Sequence, residues 1–316
     1  MRCALIGNYG VGNVGDEALR DFFVQRFPEV DWVIFSANPE ESNETARLPA
    51  GLRSLVSGRW VRTLRELRRC DGVVFGGGSL FTDVESTFAC FLWWMHARVA
   101  GMLGKPTFFA FQGIGPFRGR VGQWFARDVL KRARFASVRD ASSAERVKKW
   151  SLNAKVIQSF DPVFSLMVSS SSEARSTNVL IAIPRRNSSA IFQNRLKEVM
   201  HGGQYEKVFL VPMQAKDPAE HEACKCLLEA FPGMTMQPVS TLEALTERVS
   251  RASFVLSERY HGALCALALG IPFEVVSQGE GDKLSELRGF TAADAPRLRA
   301  SIEAAEQALR EALHAL

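Results

Sequence analysis

The sequence predicts an α/β protein built of two Rossmann-like halves. Three observations carry that prediction. Short apolar runs alternate with helical stretches along the chain, a serine-rich break interrupts the alternation near the middle, and 316 residues suit two domains at about 150 residues each. Strands alternating with helices form βαβ units and a mostly parallel sheet. A chain this long buries enough surface to fold with no disulfide or metal staple.

The first strand is expected at 3–6, where Cys-Ala-Leu-Ile precedes Gly7. Its four apolar residues make a strand and fall short of a secretory leader. Apolar runs at 32–36, 72–75, 107–111, 135–138 and 155–159 continue the first set. Between them, apolar residues at helical spacing predict helices over 16–27, 59–69, 86–103, 120–133 and 141–150. The polar run from Val168 to Asn178 contains four successive serines. It reads as a linker, 169–177, between domains 1–168 and 178–316. The alternation then restarts with strands 179–183, 207–211, 253–256 and 272–276, and helices near 190–201, 217–231, 241–250 and 261–269. The stretch 295–316 predicts a long terminal helix, assigned to the second domain. Two such domains facing each other would leave one cleft, with ligands outside the carboxyl ends of the strands.

A hydrophobic fraction of 47% and a charged fraction of 23% exclude disorder, collagen and coiled coil. The net charge of +5 suits an anionic substrate or an anionic surface and is too small to argue for nucleic acid. No apolar run reaches the roughly 18 residues of a membrane helix. Cys3, Cys70, Cys90, Cys224, Cys226 and Cys265 read as reduced thiols of a cytoplasmic protein. His221, Cys224 and Cys226 lack the second ligand pair of a metal site and read as helix surface, so no metal is expected. The segment 53–69 holds six arginines with Trp60, Leu and Val between them. It reads as a surface helix with its apolar stripe on the sheet, or as a peripheral contact with the inner membrane face. The stretch 88–103, with Trp93 and Trp94, reads as a buried helix.

The strand ends carry the candidate chemistry. After the first strand, Gly7-Asn8-Tyr9-Gly10-Val11-Gly12-Asn13-Val14-Gly15-Asp16-Glu17 contains a literal G-x-G-x-x-G. A dinucleotide site also needs an acid at the end of the second strand, and Ser36-Ala37-Asn38 supplies none. Asp16 and Glu17 at the helix start would repel a pyrophosphate. After the third strand, Gly76-Gly77-Gly78-Ser79 with Asp83 downstream would expose backbone N–H groups. Gln112 follows the fourth strand in a rigid loop. Arg139 follows the fifth, where it reaches a phosphate or carboxylate, or forms an internal ion pair. In the second half, Arg185 and Arg186 follow the strand at 179–183. The richest segment is Ser257-Glu258-Arg259-Tyr260-His261-Gly262, where a strand gives way to a helix. A helix N-terminus and an arginine fork suit an anion, and a histidine there suits general acid–base work.

These motifs, together with Gln112-Gly-Ile-Gly-Pro116, Ser137-Val-Arg-Asp140 and Asp161-Pro162, resemble the polysaccharide pyruvyl transferase family. Order and spacing fit over about residues 4–290, and the nearest likeness is to the bacterial branch acting on cell-wall polysaccharide for S-layer attachment. The resemblance implies a two-domain GT-B-like fold. It implies transfer of pyruvate from phosphoenolpyruvate, as a ketal, to a lipid-linked or nucleotide-linked saccharide, with no metal or nicotinamide. On this reading Arg259 and Gly262 hold the donor, with Arg185, Arg139 and Lys283 completing the anion site. His261 is the general acid. Asn8, Gly10, Asn13, Gly15, Gly77, Gly78, Ser79, Asp83 and Gln112 face the acceptor, and Asp16 or Asp83 serves as base. Thr82 stands where the family often has Gln and Phe111 where it often has Gly. Lys283 lacks the tyrosine that usually precedes it. The alternative reading is a GT-B-type nucleotide-sugar glycosyltransferase.

Overall fold

In the computed structural model, which describes residues 1–49, 51–84, 86–150, 152, 155–168, 178–203, 205–214, 217–277 and 283–316, the chain forms two parallel sheets in two compact units. The expected linker, 169–177, lies outside the described residues.

The first unit comprises Met1–Val11, Leu19–Pro162 and Leu298–Leu316. Its elements run β1 (Arg2–Tyr9), α1 (Val14–Arg26), β2 (Asp31–Ser36), β3 (Glu44–Ala46), α2 (Leu52–Val56), α3 (Arg59–Arg69), β4 (Gly72–Phe81), α4 (Thr87–Met102), β5 (Thr107–Ile114), α5 (Arg120–Lys131), β6 (Phe135–Val138), α6 (Ala141–Lys148) and β7 (Val156–Gln158). The strand order is β3-β2-β1-β4-β5-β6-β7, all parallel. Such strands are buried on both faces and need near-continuous apolar sequence, as Cys3–Ile6 and Val73–Phe75 supply. Helices α3, α4, α5 and α6 close one face through a shared core that includes Leu67, Trp93, Ala97, Val129 and Val147.

Two strands outlast their expected ends. β4 runs through Gly76-Gly77-Gly78, and β5 runs to Ile114. Both shift register there, β4 between Gly78 and Phe81 and β5 between Phe109 and Gln112. Gly77 and Gly78 are left-handed, with φ of 78° and 80°. These segments are therefore bulged strands rather than the open loops expected from glycine content.

The second unit comprises Gly12–Ala18 and Val163–Arg297. It contains β8 (Val179–Ile183), α7 (Ala190–Gly202), β9 (Lys207–Leu210), α8 (Pro218–Ala230), β10 (Met234–Met236), α9 (Leu242–Ser250), β11 (Phe254–Ser257), α10 (Tyr260–Leu269), β12 (Phe273–Val275) and α11 (Leu284–Leu287). Its order, β10-β9-β8-β11-β12, reverses direction at β8 as the first sheet does at β1. Side-chain caps start the helices: Ser189 for α7, Asp217 for α8 and Thr241 for α9. Gly270, with φ of 65°, ends α10.

The terminal helix α12 (Ala295–His314) was expected with the second domain; the structure sets Leu298–Leu316 with the first unit. Its buried stripe Leu298, Ile302, Ala305, Leu309 and Leu313 has helical period. The attachment is polar as well. Arg26 Nε lies 3.2 Å from Glu306, Arg310 pairs with Glu29, and Ser159 Oγ donates to the Ser301 carbonyl at 3.0 Å.

Five of the six cysteines are buried and all six are free. Burial pushes the Cys3, Cys90, Cys224 and Cys265 thiols up to about 12, where they are inert. Cys224 is buried and Cys226 exposed, so they occupy different sides of α8.

His96 on α4 is 1% exposed and ties α4 to the chain after β3. Its Nε2 accepts from Leu48 N at 3.0 Å and its Nδ1 meets the Leu92 carbonyl at 2.7 Å, the pattern of a neutral ring. Burial holds its pKa down at about 4, below the ordinary 6.5. The unfolded chain therefore binds an extra proton as pH falls from 6.5 towards 4, and that uptake destabilises the fold by about 3 kcal/mol across the window. Urea midpoints measured across this range should fall on acidification. A His96→Gln protein should show a flatter slope, and an unchanged slope would remove His96 from the account.

Candidate functional site

In open parallel sheets, ligands sit outside the carboxyl ends of the strands, where the order reverses. That point lies between β1 and β4 in the first unit and between β8 and β11 in the second. The two points differ in what fills them.

In the first unit the crevice is filled by protein. Tyr9 is 1% exposed and its hydroxyl donates to the Gly76 carbonyl at 2.7 Å. A Cβ on Gly7 would lie 2.3 Å from the Tyr9 ring, and one on Gly76 would lie 2.3 Å from its hydroxyl oxygen. The space beside Gly77 is taken by Leu19, and that beside Gly10 by Ser36. Asn38 Nδ2 also donates to the Gly10 carbonyl at 2.9 Å. The glycine-rich spacing thus serves internal packing at Gly7, Gly10, Gly76 and Gly77.

Several polar candidates are likewise committed internally. The Asp83 carboxylate is buried and accepts from Arg118 N at 2.5 Å and Gly119 N at 3.1 Å. It tethers the start of α5, which corrects its reading as a base or acceptor ligand. Gln112 is fully buried, and its Nε2 donates to the carbonyls of Phe75 at 2.9 Å and Ala110 at 3.1 Å. It stitches β5 to β4 instead of facing a sugar. Ser79 Oγ accepts from Arg139 Nη2 at 2.9 Å. Arg139 was expected at the donor. It is 1% exposed and its Nη1 lies 2.5 Å from the fully buried Asp161. That guanidinium belongs to a buried ion pair and leaves the donor set. Asn8 is half-buried, with its Oδ1 3.4 Å from Arg47 Nη2.

The second unit gathers the remaining candidates around the N-terminus of α10. The chain leaves β11 at Ser257, whose Oγ accepts from Arg259 N at 3.1 Å and donates to the Arg259 carbonyl at 2.8 Å. Glu258 is fully buried and draws in the loop after β8. It accepts from Arg185 N at 3.2 Å, Ser188 Oγ at 2.8 Å, Ser189 N at 3.1 Å and Ser189 Oγ at 2.7 Å. Arg185 is thereby fixed at the strand end, half-buried, while Arg186 is exposed.

Arg259 holds the N-cap position of α10 without capping it. Its side chain is 15% exposed and paired with the fully buried Glu220 of α8. Nε donates to Glu220 at 3.1 Å and Nη2 also reaches Glu220, while Nη1 makes no hydrogen bond among the described residues. The other Glu220 oxygen accepts from Gln214 N at 2.5 Å. The pair orients the fork and leaves one edge of it for an anion.

His261 occupies the first turn of α10, edge-on to Tyr260 with ring centroids 5.4 Å apart. Its Nε2 is shielded from solvent. Its ring lies directly against Gly15: a Cβ there would fall 1.9 Å from Nδ1. The start of α1 is also bonded to the end of β9, with Val14 N donating to the Met213 carbonyl at 3.3 Å. Gly15 N in turn lies 3.0 Å from Asn13 Oδ1. Gly15 thus stands against His261, and Asn13 and Asp16, next to it in the chain, fall in the second unit with it, although the sequence reading assigned them to the first domain. Lys283 Nζ sits 5.5 Å from the centre of the Tyr260 ring, a cation–π arrangement that brings a second cation to this turn. Gly262 lets α10 approach β8, since a Cβ would lie 2.6 Å from Ile183.

The sequence reading missed Glu220 and gave Glu258 no role. Glu258 lies inside the motif and was open to notice. Glu220 is 39 residues from Arg259, with no spacing signal to join them. Among the described residues, no His/Cys/Asp/Glu cluster has metal-site geometry.

A family model described as polysaccharide pyruvyl transferase matches residues 13–279. No curated protein sequence matches the chain. Among solved structures, Anabaena Alr3699/HepE in complex with UDP-glucose superposes with a TM-score of 0.63 at 12% identity, covering 100% of both chains. UDP-N-acetylglucosamine 2-epimerase from Rickettsia bellii gives 0.63 at 12% identity, covering 99% of this chain and 96% of that one. S. aureus MnaA with UDP gives 0.61 at 11%, covering 88% and 79%. These likenesses establish the GT-B-like fold.

Gly15→Ala tests the contact on which this cluster turns. Alanine is intrinsically favoured over glycine in a helix by about 1 kcal/mol. The added methyl cannot coexist with the imidazole where it stands. The variant should stay folded by circular dichroism while the His261 ring resonances shift in NMR; unshifted resonances would contradict the contact.

Proposed function

The chain belongs to the polysaccharide pyruvyl transferase family, and from that membership we propose that it takes pyruvate from phosphoenolpyruvate and installs it as a ketal across two hydroxyls of a saccharide precursor. The observation that carries this reading is the pairing of a half-committed arginine with a histidine at one helix N-terminus. Phosphoenolpyruvate is a small, dense anion whose enol carbon must gain a proton. Arg259, held by Glu220, offers its remaining edge to the phosphate or carboxylate, and the first turn of α10 at Gly262 adds backbone donors. Arg185 and Lys283 complete the positive field.

The steps balance without an added oxidant or cofactor. His261 gives its proton to the methylene carbon, which becomes the methyl group. A first sugar hydroxyl adds to the central carbon and yields its proton to a base, for which Asp16 is the candidate. The second hydroxyl then attacks the same carbon. The C–O bond to phosphate breaks, and the remaining hydroxyl proton leaves with the phosphate. Asn13 and Gly15, in the same unit as His261, are the candidates left for the acceptor, carried by a lipid or a nucleotide.

The second reading is nucleotide-sugar glycosyl transfer. The UDP and UDP-glucose complexes of the structural neighbours favour it, because a helix N-terminus with an arginine also suits a diphosphate.

Calorimetric titration separates the two. The protein should bind phosphoenolpyruvate, and Arg259→Ala should weaken that binding by about 2 kcal/mol, the scale of a charge-assisted hydrogen bond. His261→Ala should keep phosphoenolpyruvate binding and lose phosphate release in the presence of acceptor. Binding of UDP-sugars with no response to phosphoenolpyruvate would move the assignment to glycosyl transfer. A His261→Ala protein with full turnover would remove the general-acid role.

A further inference from the structure

We propose that the outer helical layer of the first unit, α2 to α5, docks on an anionic lipid bilayer. The charge of the chain is concentrated there. Residues 51–134 carry fourteen Lys and Arg against five Asp and Glu, a local net charge of +9 in a chain whose total is +5. The remainder of the molecule is therefore net negative.

Helices α3, α4 and α5 share one core on one face of the sheet, so their opposite sides point outward together. On α3, Arg59, Arg62, Arg65 and Arg69 are exposed, while Thr63 and Leu67 face inward. The acids of this layer offset only part of it. Asp83 tethers α5, Glu66 lies 2.9 Å from Arg2 and 3.2 Å from Arg69, and Asp128 accepts from Trp94 Nε1 at 2.9 Å and lies 3.3 Å from Arg132. Among the described residues no carboxylate pairs with Arg59, Arg62 or Arg65, and fourteen cations face five acids in this stretch.

Apolar groups project beside those arginines. In α2, Leu52 is 80% exposed and Val56 83% exposed. Trp60 Nε1 donates to the Leu55 carbonyl at 2.8 Å and fixes α2 against α3. Across α4 and α5 a continuous aromatic chain links Phe88, Phe91, Trp94, Trp124 and Phe125, with successive centroids 5.2–6.0 Å apart. Its outer members Phe88 and Trp124 are each 54% exposed. The sequence reading expected 88–103 to be buried; Trp93 is, but Phe88 is not.

Basic residues interleaved with exposed Leu, Val, Phe and Trp form the pattern of an interfacial surface. A second copy of the chain fits it poorly, because a two-fold contact would set a strongly positive face against itself. A single-stranded nucleic acid would stack on the aromatics and leave Leu52 and Val56 without a partner.

Vesicle flotation tests the proposal. The intact protein should bind vesicles of phosphatidylcholine with phosphatidylglycerol, should not bind phosphatidylcholine alone, and should lose binding as salt rises. Inorganic phosphate should not displace it. The triple variant Arg59→Gln, Arg62→Gln, Arg65→Gln should weaken partitioning by roughly 100-fold. The pair Leu52→Ser, Val56→Ser should weaken it by roughly tenfold or more. Both variants alter exposed positions, so thermal midpoints should match the parent. A parent protein that stays off the anionic vesicles, or variants that bind as well as the parent, would overturn the proposal. So would dimers that Trp124→Ser converts to monomers while the parent ignores vesicles, which would make the face a contact between copies.

Discussion

Two buried carboxylates position the start of α10, and the arrangement of Arg185, Arg259 and its first turn depends on them. Glu258 gathers the β8–α7 loop, and Glu220 aligns the Arg259 guanidinium. Neither is a strong source of stability. Removing a carboxylate from water costs several kcal/mol, and its partners roughly return that cost. What the carboxylates supply is position. With Glu258 in place, Arg185 and the first turn of α10 cannot drift apart. With Glu220 in place, Arg259 presents one chosen edge. An apolar pair of the same volume could hold the helix equally well and would aim nothing.

The two units make the same topological turn and use it differently. Each sheet reverses order at its first strand, and each has an arginine just past a strand end. Arg139 is enclosed with Asp161 and Ser79, so its charge is spent inside the protein. Arg259 shares its carboxylate but keeps part of its surface open. The first crevice is occupied by Tyr9. The second holds an imidazole against a backbone with no side chain. Topology alone names two equivalent places for a ligand, and the side chains that fill them break the equivalence.

The alternation of apolar and helical segments made both sheets legible, because a buried parallel strand needs an uninterrupted apolar run. β3 and β10 escaped that reading because three residues have no measurable period. α12 showed its stripe but not its partner, since an apolar face declares burial without naming what covers it. The glycines behaved likewise. Each reports that something comes close, and the sequence does not say what. For Gly7 and Gly76 it is Tyr9, for Gly77 it is Leu19, and for Gly15 it is His261, 246 positions away in the chain. The Arg259–His261 segment was readable because both residues sit at one strand end. Glu220 was not, because only the fold brings α8 to that end.

Phe111 shows where the departures from the family pattern fall. Its φ of 54° is left-handed, a conformation that costs a side-chain-bearing residue about 1–2 kcal/mol. Glycine would adopt it freely, which accounts for the glycine often found at this place in the family. Here the phenyl ring meets Phe22 edge-on at 5.5 Å and Phe23 at 6.2 Å, fully buried, and Phe111 N donates to Ser137 Oγ at 2.8 Å. Burying such a ring contributes roughly 1.5–3 kcal/mol, enough to offset the strain. Thr82, the other departure, donates to the Pro116 carbonyl at 2.8 Å. Both substitutions are therefore absorbed by packing and hydrogen bonding inside the first unit. The partners of both lie within the first unit, so it can exchange motif residues for core contacts while the turn that holds Arg259 and His261 keeps its own.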